Sequence, residues 1–317
     1  MPRTQNDDHS PGASGASGAS GVPDGAGVPD GSGASSPGDA SWLGDALPDV
    51  SLTKAQSRVV DVVVRNPQLA SYADIAEIAQ RADVNSSTVV RTAQALGYRG
   101  WPDLQRELRA RYLVLISTED TLTEHGEHRS PLHDALTHDI DNLRQTLENN
   151  TAADTEETIA ALAAARSILV VGIGSFAGPA GVMAHLGSTM GYPITLENRA
   201  GVHLASAVNS LGPGDVLVVV NMWRSMKQVI AAAEAAREAG ATVVALTDMR
   251  RGRLATAVAH HLLIVPSEGI SFFQSVTAAT SVVYGLLAGM QAAHPERSRA
   301  AIRRTQQLWK DLDIYLE

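Results

Sequence analysis

The sequence predicts two folds in series: a small all-α domain, then an α/β domain whose parallel five-stranded sheet is covered on both faces as an αβα sandwich. Three observations carry this. Between residue 52 and about residue 116, apolar residues recur at helical spacing. From Thr155 onward, short apolar runs alternate with Ala-rich helical stretches, the pattern of a parallel sheet with helices on each side. At 317 residues, the chain also exceeds what one hydrophobic core usually serves.

The chain before about Leu47 differs in kind. It consists of Gly-Ala-Ser triplets and two copies of Gly-Val-Pro-Asp-Gly, with almost nothing able to form a core. It is expected to be a disordered tail without a separate activity. The expected layout is a tail over 1–47, the helical domain over 48–124, a polar linker over 125–130 and the α/β domain over 131–317.

Thr53 can cap a first helix carrying Val59, Val60, Val63 and Val64, which ends before Asn66-Pro67. A second helix is expected over about 74–82, with Ile75, Ile78 and Ala79 inward. A third follows over about 86–96, capped by Asn85 and closed by Gly97. Two short helices joined by Asp83-Val84-Asn85 have the proportions of a helix-turn-helix. Trp101-Pro102-Asp103 then opens a helix that runs toward Ile116.

In the second half, a helix over about 131–149 aligns Leu132, Leu136, Ile140, Leu143 and Leu147 on one stripe, expected to pack on its own domain rather than on a second subunit. Strands are expected at 168–172, 193–196, 215–221, 242–247 and 261–265. Ligands of such sheets bind at the carboxyl ends of the strands, so the loops after Gly172, Asn221 and Thr247 are where a site is sought.

The net charge of −9 is unevenly spread. Residues 1–50 carry −6, residues 51–115 carry +3 and the remainder carries −6. Only the helical region is basic, the local footprint that phosphate binding needs. No run is long and apolar enough for a membrane span, and the amino terminus lacks the apolar core of a secretory signal, so a cytoplasmic protein without a membrane partner is expected. The absence of Cys excludes disulfides, thiolate metal sites and a Cys nucleophile.

On the third helix, Val89, Ala93 and Leu96 fall at i, i+4 and i+7 and face the first helix, which leaves Ser86, Ser87, Arg91 and Gln94 outward. Short hydroxyls near a helix amino terminus bond phosphate or base edges, and the Arg91 fork reaches phosphate or guanine. Asn85, Ser86, Ser87, Thr88, Arg91, Gln94 and Arg99 are the candidate contacts to double-stranded DNA. A helical domain with a merely solvated polar face fits the same pattern.

The run Glu77-Ile78-Ala79-Gln80-Arg81-Ala82-Asp83-Val84-Asn85-Ser86-Ser87-Thr88-Val89-Val90-Arg91, followed by Leu96-Gly97-Tyr98-Arg99-Gly100-Trp101, closely resembles the helix-turn-helix of RpiR-type transcriptional regulators. That family also carries a sugar isomerase-type (SIS) domain, and the resemblance spans roughly residues 52–290. Asp83 departs from the Gly often found in such turns, which asks a non-glycine residue to accept a left-handed conformation.

Within the α/β half, Gly172-Ile173-Gly174-Ser175 reads as a strand running into a Gly loop and a helix, where backbone amides can approach an anion. A tight strand-helix turn explains it equally well. A dinucleotide site is disfavoured because the third Gly of that fingerprint is out of place, and no cofactor is expected. Together with Leu211-Gly212-Pro213-Gly214-Asp215 and Ala245-Leu246-Thr247-Asp248, the loop resembles the SIS fold. SIS domains that bind sugar phosphates usually carry a Ser-x-Ser-Gly-x-Thr loop. Here the matching run is Asn221-Met222-Trp223-Arg224-Ser225-Met226, with Lys227 next, so the hydroxyls of the pattern are replaced and a long cation stands for Gly.

The candidate ligand contacts are Gly174, Ser175, Asn221, Trp223, Arg224, Ser225, Lys227, Thr247 and Ser275, with Arg224 supplying the main charge contact to an effector that is not an ordinary phosphosugar. Arg224 and Lys227 lining a closed surface is the alternative. His260 and His261 point to opposite faces of a strand and cannot share a metal ion; a strand-edge role is expected, and no metal site. Glu268 stands where SIS isomerases can place a catalytic carboxylate, without an evident His or Lys partner. Phe272, Phe273 and Gln274 are expected to begin a helix, with both rings in the core.

The resemblance implies a non-enzymatic regulator: a homodimer or homotetramer in which a small anionic effector, sugar-derived or otherwise, alters the relation between DNA-binding subunits. Two alternatives stand beside it. One is a phosphosugar isomerase with an accessory helical domain; the other is a regulator whose SIS domain only dimerises, with no ligand.

Overall fold

The computed structural model describes residues 50–117, 119–121 and 130–315, apart from the side chain of Ala257, and these belong to one compact unit. The expected tail and residues 125–129 of the expected linker lie outside the described residues. No helix among the described residues is long and apolar enough to cross a membrane.

The amino-terminal half comprises α1 (Lys54–Arg65), α2 (Pro67–Tyr72), α3 (Ile75–Arg81), α4 (Ser86–Ala95) and α5 (Trp101–Leu115). Thr53 caps α1 in a capping box with Gln56. Asp74 and Asn85 cap α3 and α4 with their side chains. Helix α2 adds to the sequence reading, which ended the first helix before Asn66-Pro67 and placed the next at about 74. Proline lacks an N–H that the first helical turn would leave unbonded anyway, so Pro67 starts a helix here as well as stopping one. Val59, Ile78, Val89, Leu104 and Leu108 are fully enclosed in one core, each contributing about 1.5–3 kcal/mol by burial.

The turn between α3 and α4 takes the left-handed geometry the sequence asked of it. Asp83 has φ 51°, its N–H donates to Gln80 O, and the Val84 N–H donates to Ala79 O. This is a Schellman closure with Asp where Gly is usual. Gly97 closes α4 by the same pattern at φ 87°.

The second half begins with α6 (Pro131–Asn149) and α7 (Ala152–Ala164). Its strands are β1 (Ile168–Val171), β2 (Ile194–Glu197), β3 (Val216–Val220), β4 (Thr242–Thr247) and β5 (His261–Ile264). They are parallel in the order β2-β1-β3-β4-β5. Helices α8 (Ala177–Thr189) and α11 (Thr277–Ala293) cover one face with α7, burying Ile168, Val170, Val218 and Leu246. Helices α9 (Val202–Val208) and α10 (Lys227–Glu238) cover the other, burying Leu169, Leu217, Val219 and Val243. Alternate residues of one strand serve opposite layers, which is why β1 and β3 are apolar throughout. Helix α12 (Pro295–Asp311) follows α11.

Two expectations are corrected here. The α6 stripe does not pack inward: Leu132 is 75% and Leu147 81% exposed, Leu136 and Ile140 are exposed, and only Leu143 meets the core. The buried residues of α6 are Asn142 and Thr146. Strand β5 is a sheet edge with backbone groups to satisfy. Asn150, just past α6, accepts from the Ile264 N–H and donates to Ile264 O, both at 2.8 Å, and Asn142 donates to Glu268 O. Those bonds turn the polar face of α6 inward. The second correction concerns Phe272 and Phe273, which precede α11 instead of opening it. Both are exposed, their rings meeting edge to face at 5.4 Å.

Candidate functional site

Helix α4 is held on the amino-terminal core by Val89 and Ala93, and Leu96 beyond its end is buried too. Ser86, Arg91 and Gln94 are exposed. The remaining candidates divide. Asn85 Oδ1 accepts the Thr88 N–H (2.9 Å), the Thr88 hydroxyl (2.9 Å) and the Ser87 hydroxyl (2.6 Å), so these three residues are joined in the helix cap. Arg99 lies beyond α4 and donates to Asp103, to Glu148 O and to Asn149 Oδ1 at the end of α6. Burial raises the Asp103 pKa, but the Arg99 hydrogen bonds and the Arg250 charge outweigh it and hold the carboxyl below its usual range.

At the carboxyl edge of the sheet, Gly172 serves packing. A Cβ there would stand 2.4 Å from Phe176 O. Gly174, at φ 66° with open space around it, and Ser175 are exposed. Asn221 is buried and donates to the exposed Ser225 (3.2 Å); Thr247 is buried, and Lys227 is exposed at the start of α10. Ser275 and Thr277 both donate to Asp139 of α6.

Trp223 and Arg224 do different things from those expected of a phosphate loop. Trp223 adopts φ 59°, and its N–H donates to both carboxylate oxygens of Asp248, at 2.9 and 3.0 Å. Arg224 stacks on the Trp223 ring at 4.7 Å and donates to Ile116 O beyond α5. Asp248 also accepts the Ser267 hydroxyl at 2.9 Å. Desolvation of this inward carboxylate, reinforced by the nearby Glu107, outweighs those donors and pushes its pKa up to about 6.

A cavity of about 70 Å³ lies beside Trp223 and Asp248. Its walls include Arg106, Glu107 and Arg109 of α5, Gln145 and Asn149 of α6, Arg250, and Ser267 and Glu268 after β5. Arg109 donates to Glu268 at 2.7 Å, which gives Glu268 the cationic partner that no neighbouring residue in the sequence announced. Glu107 accepts the Arg250 N–H (3.0 Å) and pairs with Arg111; burial nevertheless raises its pKa. Of the nine ligand candidates read from sequence, this cavity includes Trp223 alone. The others do not line it: Thr247 ends β4, Lys227 opens α10, and the rest lie in the segments after the strands. A cue for Asp248 existed, since it directly follows β4 at the sheet's carboxyl edge. No local cue marks Arg106, Arg109 or Gln145. His260 Nδ1 accepts the Val243 N–H (2.9 Å), consistent with a strand-edge role.

Two family models match the chain: the helix-turn-helix domain of the rpiR family over residues 48–113 and the SIS domain over residues 161–289. An uncharacterized HTH-type transcriptional regulator of Haemophilus influenzae is 26% identical over 68% of this chain and 75% of its own length. Another, from Caldanaerobacter subterraneus, is 24% identical over 69% and 78%. The sugar isomerase domain of an RpiR transcription factor from Sphaerobacter thermophilus matches with TM-score 0.54 and 30% identity, over 56% of this chain and 99% of that one. The Vibrio vulnificus NanR protein, solved in complex with ManNAc-6P, shares the fold with TM-score 0.55 and 20% identity, over 82% of this chain and 94% of that one. The two family matches together span more than half of the chain in the order the fold requires, and the chain belongs to the RpiR family of transcriptional regulators, joining a helix-turn-helix domain to a SIS domain.

Proposed function

We propose that the chain binds double-stranded operator DNA through α4 and that its SIS half senses a small, sugar-related anion. The observation that carries the first part is the outward face of α4, where Ser86, Arg91 and Gln94 are exposed while Val89 and Ala93 are enclosed. Capping by Asn85 fixes the helix amino terminus, so Ser86 and Arg91 project from a rigid support. Arg91→Ala is expected to weaken operator binding by about 1–3 kcal/mol through loss of a bidentate base contact. Titration against promoter fragments from neighbouring genes checks this; equal affinity and equal salt dependence would remove Arg91 from the interface.

Support for the second part is the SIS match and the NanR fold likeness, NanR having been solved with ManNAc-6P. Exposed Gly174, Ser175 and Lys227 are available to such a ligand, whereas Arg224 would first have to leave Ile116. We assign the exposed α6 stripe to a homodimer contact, because Leu132, Leu136, Ile140 and Leu147 form an apolar row left exposed among the described residues. Sedimentation of the full chain carrying Leu136→Glu and Ile140→Glu is expected to show monomer where the unaltered protein is dimeric. An unchanged dimer would place the contact elsewhere.

A further inference from the structure

The cavity at the carboxyl edge of the sheet belongs jointly to the two halves of the chain. Helix α5 of the helix-turn-helix half supplies Arg109 and Ala110, while Gln145, Trp223 and Glu268 come from the SIS half. At about 70 Å³ it has room for a few waters, far below the roughly 300–1,000 Å³ of ordinary ligand pockets. Two buried polar atoms on its lining residues, Trp223 Nε1 and Gln145 Oε1, have no hydrogen-bond partner among the described residues. Native interiors seldom leave such atoms unpaired. An indole N–H only donates and an amide oxygen only accepts, and a ligand hydroxyl, which does both, matches either. Beside them, Arg109 is held by the Glu268 carboxylate. A ligand carboxylate or phosphate offers that guanidinium the same charge-assisted bonds.

We propose, resting on the sensing function above, that a small polyhydroxylated anion enters between α5 and the sheet edge, with its hydroxyls held by Trp223 and Gln145 and its charge taken by Arg109 in exchange for Glu268. At about 70 Å³ the cavity is too small for such a molecule as it stands, so entry displaces α5. That helix packs on α2 and α4, and its Glu107 also holds the Arg250 backbone. Occupation of the site is thereby transmitted to the DNA-reading helix within one chain, because the ligand stabilises only the arrangement that admits it.

The chain contains no cysteine, so Ala110→Cys places a single thiol on the cavity wall of the full-length protein. Glucose 6-phosphate, N-acetylmannosamine 6-phosphate and gluconate serve as probes, with inorganic phosphate as the control without carbon-borne hydroxyls. At least one polyhydroxylated probe is expected to raise the melting temperature and to accelerate maleimide labelling of residue 110, while inorganic phosphate does neither. Trp223→Phe and Gln145→Leu are each expected to weaken that probe about tenfold, the size of one lost hydrogen bond; should the first variant fail to fold, the second carries the test. A probe that stabilises the protein with unchanged labelling, or with unchanged affinity in the variants, overturns the composite site and leaves sensing intact. Stabilisation by none of the probes overturns both, and the cavity is then a water pocket only.

Discussion

The turn of the helix-turn-helix and the crevice loop both place a non-glycine residue in the left-handed region, Asp83 at φ 51° and Trp223 at φ 59°, but they support it by different means. Asp83 is exposed, and its turn is clamped from outside: Arg58 donates to Ala82 O at 2.9 Å and to Asp83 O at 2.7 Å. Asp is among the residues that tolerate this conformation. Trp223 is a bulky residue for which it is an outlier. Its N–H rests on a carboxylate that burial makes reluctant to ionise, and its indole nitrogen is unpaired. The first turn is complete as it stands, whereas the second is strained beside a cavity with unmet hydrogen-bonding capacity, which is where backbone strain is usually retained.

Three experiments sharpen or break that contrast. The largest expected effect is on pH dependence. The folded pKa of Asp248, about 6, lies above the ordinary value of 3.8, so the folded state holds the proton more tightly and its contribution to stability is full below about pH 4. That contribution is lost as pH rises through about 6, a change of about 3 kcal/mol. Glu107 shifts in the same direction. Asp248→Asn should therefore flatten the stability profile between pH 4 and 7 relative to the unaltered protein, measured by urea unfolding. Parallel profiles would mean that the crevice carboxylate is not under this constraint.

Next in size, Trp223→Gly is expected to destabilise the protein by about 2 kcal/mol despite relieving φ, because a half-buried ring and its packing are lost. Smallest is Asp83→Gly at the exposed turn. Relief of the left-handed penalty exceeds the added chain entropy, and a gain of about 0.5 kcal/mol is expected. Denaturant midpoints read both. A gain in both variants would remove the distinction between the two turns.

What could be read from sequence follows the range of the interactions involved. Helices α1, α3, α4 and α5 were legible because capping and apolar spacing act within a few residues. Strands β1, β3 and β4 were legible because apolar residues run along nearly their whole length. Helix α2 was hidden by a proline with two meanings. The α6 stripe misled because its orientation is decided by backbone groups of β5, more than a hundred residues away. The exposure of Ser86, Arg91 and Gln94 on α4 was readable from helical phase alone. The contacts of Arg99 with the end of α6 were not, since those acceptors lie about fifty residues away.

The sequence by itself determined the two domain types, the strand set and the outward face of α4, all properties of local periodicity and hydrophobic burial. Only the tertiary structure decided the crevice. It brought Arg109 to Glu268 across 159 residues and Arg224 to Ile116 across 108, and it turned Trp223 onto Asp248. Charge pairs and shared cavities depend on where whole elements dock, and no window of sequence short enough to show a helix or a strand contains both partners.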